Sequence, residues 1–137
     1  MRGTVIFASC IGILAVALSA QAPRRAASPI TPFRIVEATI PEMRAAMASG
    51  RLTARALVGQ YLVRLGTYED RLHAAIVVNP RALEQAEALD RERAAGKLRG
   101  PLHGIPIALK DNIHTTEMPT TGGALAFAGY TPPYEAT

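Results

Sequence analysis

From residue 39 the chain shows helical spacing broken by short apolar runs. Thr39 and Glu42 flank the start of a series in which Ile40, Met43 and Met47 fall on one helical face, with Gly50 beyond. A threonine three residues before a glutamate is a capping box, each side chain satisfying a free backbone donor at the helix start. The spacing therefore predicts a short helix with a glycine stop. Thr53 is a second cap. After it, Ala54, Leu57, Val58, Tyr61, Leu62 and Leu65 recur at i, i+3, i+4 and i+7, which predicts a longer helix with a broad apolar stripe, ending near Gly66. Residues 74–78 are a compact run with β-branched side chains and read as a strand. Asn79 and Pro80 read as the cap and first position of a helix that reaches about Ala95, with Gly96 past its end.

Residues 97–104 read as loop and residues 105–109 as a second short strand. Pro106 has no backbone donor, so its strand must lie at an edge, carry a bulge or leave that position unpaired. Beyond Asp111, threonine, glycine and proline are too dense for a long regular element before residues 124–127. Strand, helix and strand predict an α/β layer whose second strand delivers Lys110 at its carboxyl end, the side where ligands gather in open α/β sheets. Spacing alone leaves two readings of Lys110 and Asp111 open: a functional pair, or the solvated end of a strand. Glu87 and Arg91, four apart on the third helix, are an exposed ion pair worth about 0.2–0.5 kcal/mol, and describe a wet face.

The amino terminus changes the setting. A charged start at Arg2, an apolar stretch from Val5 to Leu18 and small residues at Ser19, Ala20 and Ala22 have the build of a secretory signal peptide. Cleavage is expected after Ala20, because Pro23 would follow a cut at Ala22. A retained anchor is the competing reading, but a spanning helix takes about 20 apolar residues. Residues 21–32, rich in Pro, Ala, Ser and Arg, read as a tether, and residues 33–137 as the folded part. Losing the signal removes Cys10, the only cysteine. That closes off disulfides, thiol nucleophiles and thiolate metal sites in the mature chain. The 137 residues carry a formal net charge of +4, with the basic residues scattered. A nucleic-acid partner would need a clustered basic face, and none is expected.

His103 and His114 lie on opposite sides of the second apolar run with no third ligand at a recognised spacing, so loop roles are expected and no metal. Thr115, Thr116, Thr120 and Thr121 supply hydroxyls, and Gly122 and Gly123 allow close backbone approach. This segment reads equally as a pocket border or as ordinary turn chemistry.

The segment GPLHGIPIALKDN over residues 100–112, followed by Thr115, the run Pro119, Thr120, Thr121, Gly122, Gly123, and the closing Tyr134, Glu135, Ala136, Thr137, resembles the amidase signature family of amide hydrolases. The resemblance is detailed from Gly100 onward and looser before it. It implies an α/β fold, the amino-terminal portion of a mixed β-sheet surrounded by helices. It also implies a Ser, cis-Ser, Lys triad in which Lys110 is the catalytic base and needs no cofactor. Asp111, Asn112, Thr120, Thr121, Gly122 and Gly123 would then border the pocket of a small-molecule amide substrate.

A base needs a free lone pair, whereas an isolated lysine is protonated at neutral pH, so an apolar approach over residues 105–109, covered by the missing remainder of the domain, would favour the role. A carboxylate touching the ammonium would oppose it. Asp111 is therefore expected to point away and bond backbone donors within residues 112–116. No serine follows Ser49, and neither Ser28 nor Ser49 matches the family's positions. The chain thus reads as the amino-terminal piece of an exported amidase, inactive by itself and without a membrane anchor once the signal is cut. The alternative is an exported non-catalytic fragment or interaction module.

Overall fold

A computed structural model of the protein describes residues 32–137, so the expected signal peptide and nearly all of the tether lie outside the described residues. Three α-helices, α1 (Ile40–Ala48), α2 (Ala54–Leu72) and α3 (Ala82–Ala94), are followed by a long irregular segment that contains one 3-10 turn, Leu125–Phe127. None of these helices is long and apolar enough to cross a membrane.

The capping box forms as expected. The Thr39 N–H donates to Glu42 Oε2 at 2.7 Å and the Glu42 N–H to Thr39 Oγ1 at 3.4 Å. Met43, Ala46 and Met47 are buried, while Ile40, on the same face but in the first turn, stays exposed. Thr53 caps α2, its Oγ1 accepting from the Ala56 N–H at 3.0 Å. Ala54, Leu57 and Val58 are buried, with Tyr61 and Leu62 packed against them. The expected end near Gly66 is wrong. The helix runs six residues further to Leu72 and stops where His73 turns left-handed, at φ 48°. A single glycine in a helix costs only about 1 kcal/mol. Here Thr67 bonds back to the Val63 carbonyl at 2.7 Å, and Arg64 lies 5.2 Å over the Tyr68 ring one turn on.

The start of α3 also differs from expectation. Asn79 does not cap the helix directly: its Oδ1 accepts from the Arg81 N–H at 2.8 Å, and its carbonyl accepts from the Ala82 N–H at 3.1 Å. These bonds make a turn that occupies Asn79 and Pro80 and leaves Arg81 at the cap position. The far end agrees with the reading, with Ala95 as cap and Gly96 at φ 73°.

The two expected strands are the main correction. Residues 74–78 and 105–109 are not paired, and no strand forms among the described residues. A β-branched run is only half of a strand, since its backbone donors and acceptors must be met by a neighbour. Here Ile76 is 67% exposed, Ile107 58% and Leu109 48%. The mixed sheet of the expected α/β fold is therefore not formed among these residues, and what they build is a helical layer. Pro106 costs nothing in such an unpaired segment.

The core sits where α1, α2 and α3 meet: Met43, Ala46, Met47, Leu52, Ala54, Leu57, Val58, Ala86 and Ile105. Two polar contacts hold the layer together. The Asp90 carboxylate on α3 accepts the N–H groups of Ala54 at 2.7 Å and Arg55 at 3.0 Å, capping α2 from another helix. Anions are favoured at a helix amino terminus because its first N–H groups have no internal partner. Arg93 donates to the His103 carbonyl at 2.9 Å, tying the loop after α3 back onto that helix.

Candidate active site

The approach to Lys110 begins with a buried anchor. His103 is buried, and its Nε2 lies 2.9 Å from the Leu89 carbonyl while its Nδ1 accepts from the Arg99 N–H at 3.2 Å. A carbonyl can only accept and a backbone N–H can only donate, so the ring is the Nε2–H tautomer with both nitrogens used. His103 is thus a structural pin. Gly104 follows at φ 82°, and a Cβ there would stand 2.9 Å from the Ala54 Cβ. Ile105 then enters the core, and the chain runs out through Pro106, Ile107, Ala108 and Leu109 to an exposed Lys110. Among the described residues this approach from Pro106 onward is exposed.

Asp111 does turn away from Lys110, but its donors are not those expected. Instead of residues 112–116 it takes the N–H of Thr121 at 3.0 Å on Oδ1, the Thr121 hydroxyl on Oδ2, and the N–H of Gly123 at 3.2 Å on Oδ2. Its main-chain carbonyl accepts the Gly122 N–H at 3.0 Å. The nearer donors lose because the Ile113 N–H is already turned back onto the Lys110 carbonyl at 2.9 Å, and the Thr116 N–H goes to Glu135 at 2.9 Å. Glycines at φ 59° and 78° fold residues 122 and 123 back so that their N–H groups reach Asp111. The Thr121 hydroxyl and N–H, then the Gly123 N–H, and least the Lys110 charge, hold the Asp111 carboxyl below its usual value. None of the ion pairs among the described residues involves Lys110.

This bonding shows what the backbone of the glycine pair does. Both N–H groups bond Asp111, so Gly122 and Gly123 form a turn that is fastened to that residue. Thr120 is buried and donates its N–H to the Tyr130 carbonyl at 2.8 Å. Asn112 is exposed. His114 packs edge-on against Tyr134, with ring centroids 5.0 Å apart, and its carbonyl accepts the Ala136 N–H at 3.0 Å. The segment after Lys110 is thus a loop closed at its base by Asp111 and fastened to the chain's last residues. It is also tied to the start of α3, where Gln85 donates to Glu117 and Arg81 lies 3.6 Å from it.

Asp90, Arg93 and Glu135, whose contacts organise this surface, carry no local signal in the sequence, since each acts on residues distant along the chain. Among the described residues no group of three or more His, Cys, Asp or Glu side chains could hold a metal ion. A groove of about 570 Å³ runs along α2 between Ile35, Gly59, Val63 and Tyr68, and none of the candidate residues lines it.

Acidification should loosen the loop. Asp111 has a folded-state value below its unfolded one, so its contribution to stability is full above about pH 4 and is lost as pH falls through the lowered folded value. Melting temperature recorded from pH 6 to pH 2 should fall less steeply for Asp111→Asn than for the unaltered chain. Parallel curves would refute the assignment.

Comparison with known proteins places these observations in a family. A family model described as Amidase matches residues 56–137. The chain is 41% identical over 108 residues to a glutamyl-tRNA(Gln) amidotransferase subunit of Streptomyces avermitilis, a match that covers 78% of this chain and 22% of that one. Among solved structures, the peptide amidase of Stenotrophomonas maltophilia superposes with a TM-score of 0.68 at 44% identity, covering 70% of this chain and 20% of that one. An amidase family protein from Bacillus anthracis gives a TM-score of 0.70 at 32% identity, with 75% and 21% covered. The chain therefore spans about a fifth of the length of the relatives it matches.

Proposed function

This chain belongs to the amidase family, and we propose from that premise that it supplies the lysine base of an enzyme that hydrolyses the C–N bond of amides. The observation that carries the reading is the family match over residues 56–137, which contains Lys110. The geometry supports it, because the neighbouring carboxylate is bonded to Thr121 and Gly123, and none of the ion pairs among the described residues involves Lys110.

In the proposed reaction Lys110 acts as the base and draws a proton, through one serine, from a second serine whose oxygen attacks the amide carbonyl. The C–N bond breaks as the proton passes to the leaving nitrogen, and water then hydrolyses the ester that remains. Neither serine is supplied by these 137 residues, none of which is serine beyond Ser49. The chain by itself is therefore proposed to be inactive, since without the nucleophile the covalent route is gone. The amino-terminal signal pattern carries a proposal of export, and with it a preference for small-molecule amides over the transfer-RNA substrate named for the Streptomyces relative.

The test is a chimaera in which residues 33–137 replace the corresponding fifth of the Stenotrophomonas peptide amidase. It should release ammonia from at least one of a panel of aliphatic, aryl and peptide amides, and a serine-directed fluorophosphonate should label it. The 137-residue chain alone should do neither. Labelling of the chain alone, or a folded chimaera that neither hydrolyses nor labels, would count against the proposal; the second result would favour a non-catalytic module.

A further inference from the structure

We propose that Asp111 and Thr121 form a clamp that positions Lys110, so that Asp111 serves the base as a positioning residue and not as its counter-ion. The inference rests on the reading of Lys110 as base and adds to it the device that holds the base in place. Lys110 stands on an unpaired segment, with no sheet neighbours among the described residues to fix its backbone. What fixes it is the next residue. Asp111 receives three side-chain hydrogen bonds and one main-chain bond from Thr121, Gly122 and Gly123.

The Thr121 hydroxyl is the hinge of this arrangement. It donates to Asp111 Oδ2 and accepts from the Gly123 N–H at 3.1 Å, so one side chain ties both the carboxylate and the turn. The Lys110 carbonyl itself accepts the Ile113 N–H at 2.9 Å. The Lys110 carbonyl and the residue that follows it are both held, and the loop beyond is anchored to α3 through Glu117. A charged acceptor makes such bonds stronger than neutral ones. The same bonds use up the carboxylate that would otherwise neutralise the amine. Positioning matters because displacement of a reacting group by about 1 Å can cost on the order of 100-fold in rate.

The experiment compares Thr121→Val, which keeps the shape and loses the hydroxyl, with Thr121→Ser, which keeps the hydroxyl. Kinetics are read in the chimaera with the Stenotrophomonas peptide amidase, beside Lys110→Ala. Hydrogen exchange of the Thr121 and Gly123 amides is read in the 137-residue chain, beside Asp111→Ala. Thr121→Val should lower kcat by about 10- to 100-fold with KM within about twofold, and Thr121→Ser should restore most of the rate. Equal loss in both variants, or an unchanged kcat in folded Thr121→Val, would overturn the clamp. Exchange should be slow in the unaltered chain and faster in Thr121→Val and Asp111→Ala; rapid exchange in the unaltered chain would refute the clamp whatever the activity. Activity that survives Lys110→Ala would instead refute the base, and the exchange result would still decide the geometry.

Discussion

Lys110→Ala in the active chimaera should lower kcat/KM for amide hydrolysis by about 100- to 10,000-fold, the usual contribution of a positioned general base. The companion variant that separates base from charge is Lys110→Arg. A guanidinium keeps the positive charge but does not give up its proton in a protein, so arginine cannot begin the reaction with a free lone pair. Both variants should therefore be similarly impaired. Recovery by arginine would mean that position 110 acts through its charge and that the base lies elsewhere. In the 137-residue chain the Lys110 side chain is exposed, so neither change removes a core contact there, and the melting temperature of that chain should stay close to that of the unaltered one. A large fall in melting temperature would assign the loss to folding and leave the base unproved.

Gly104→Ala should destabilise the chain by about 2–5 kcal/mol, measured by urea unfolding, from two sources that can be separated. The left-handed backbone at φ 82° costs a residue with a Cβ about 1–2 kcal/mol. The new methyl would also press on the Ala54 Cβ at 2.9 Å, with Met47 Sδ at 3.6 Å, and overpacking of this kind adds about 1–3 kcal/mol. Ala54 is the first residue of α2, held by Asp90, and Met47 is in the core, so neither can withdraw freely. Adding Ala54→Gly to Gly104→Ala should recover the contact part and leave the backbone part, giving a favourable coupling in a double-mutant cycle. A change within about 0.5 kcal/mol for Gly104→Ala would show that this approach is not tight. The position also bears on the site, because Gly104 sits between the His103 pin and Ile105 in the core. Displacing it would shift the segment that leads to Lys110.

Several features are legible in the sequence because their physics is local. The Thr39 and Glu42 box, the Thr53 cap, the stripe from Ala54 to Leu62 and the Gly96 stop all depend on partners within about one or two helical turns. The residues around Lys110 likewise carry the family in their order alone, and the comparisons agree. The errors share a cause. Gly66 reads as a stop, although one glycine is a small penalty that the next turn outweighs. Residues 74–78 and 105–109 read as strands from composition, although pairing needs a neighbour that composition cannot supply.

The sequence by itself thus determined the helix starts, the apolar faces and the membership of the amidase family. These follow from side chains and backbone groups a few residues apart, whose meeting costs little chain entropy. Only the tertiary structure decided that Asp90 caps α2, that His103 is a buried pin and that Asp111 bonds Thr121 and Gly123 instead of residues 112–116. Each of those contacts closes a longer loop, and which loop closes depends on the whole set of competing donors and on where the core places them.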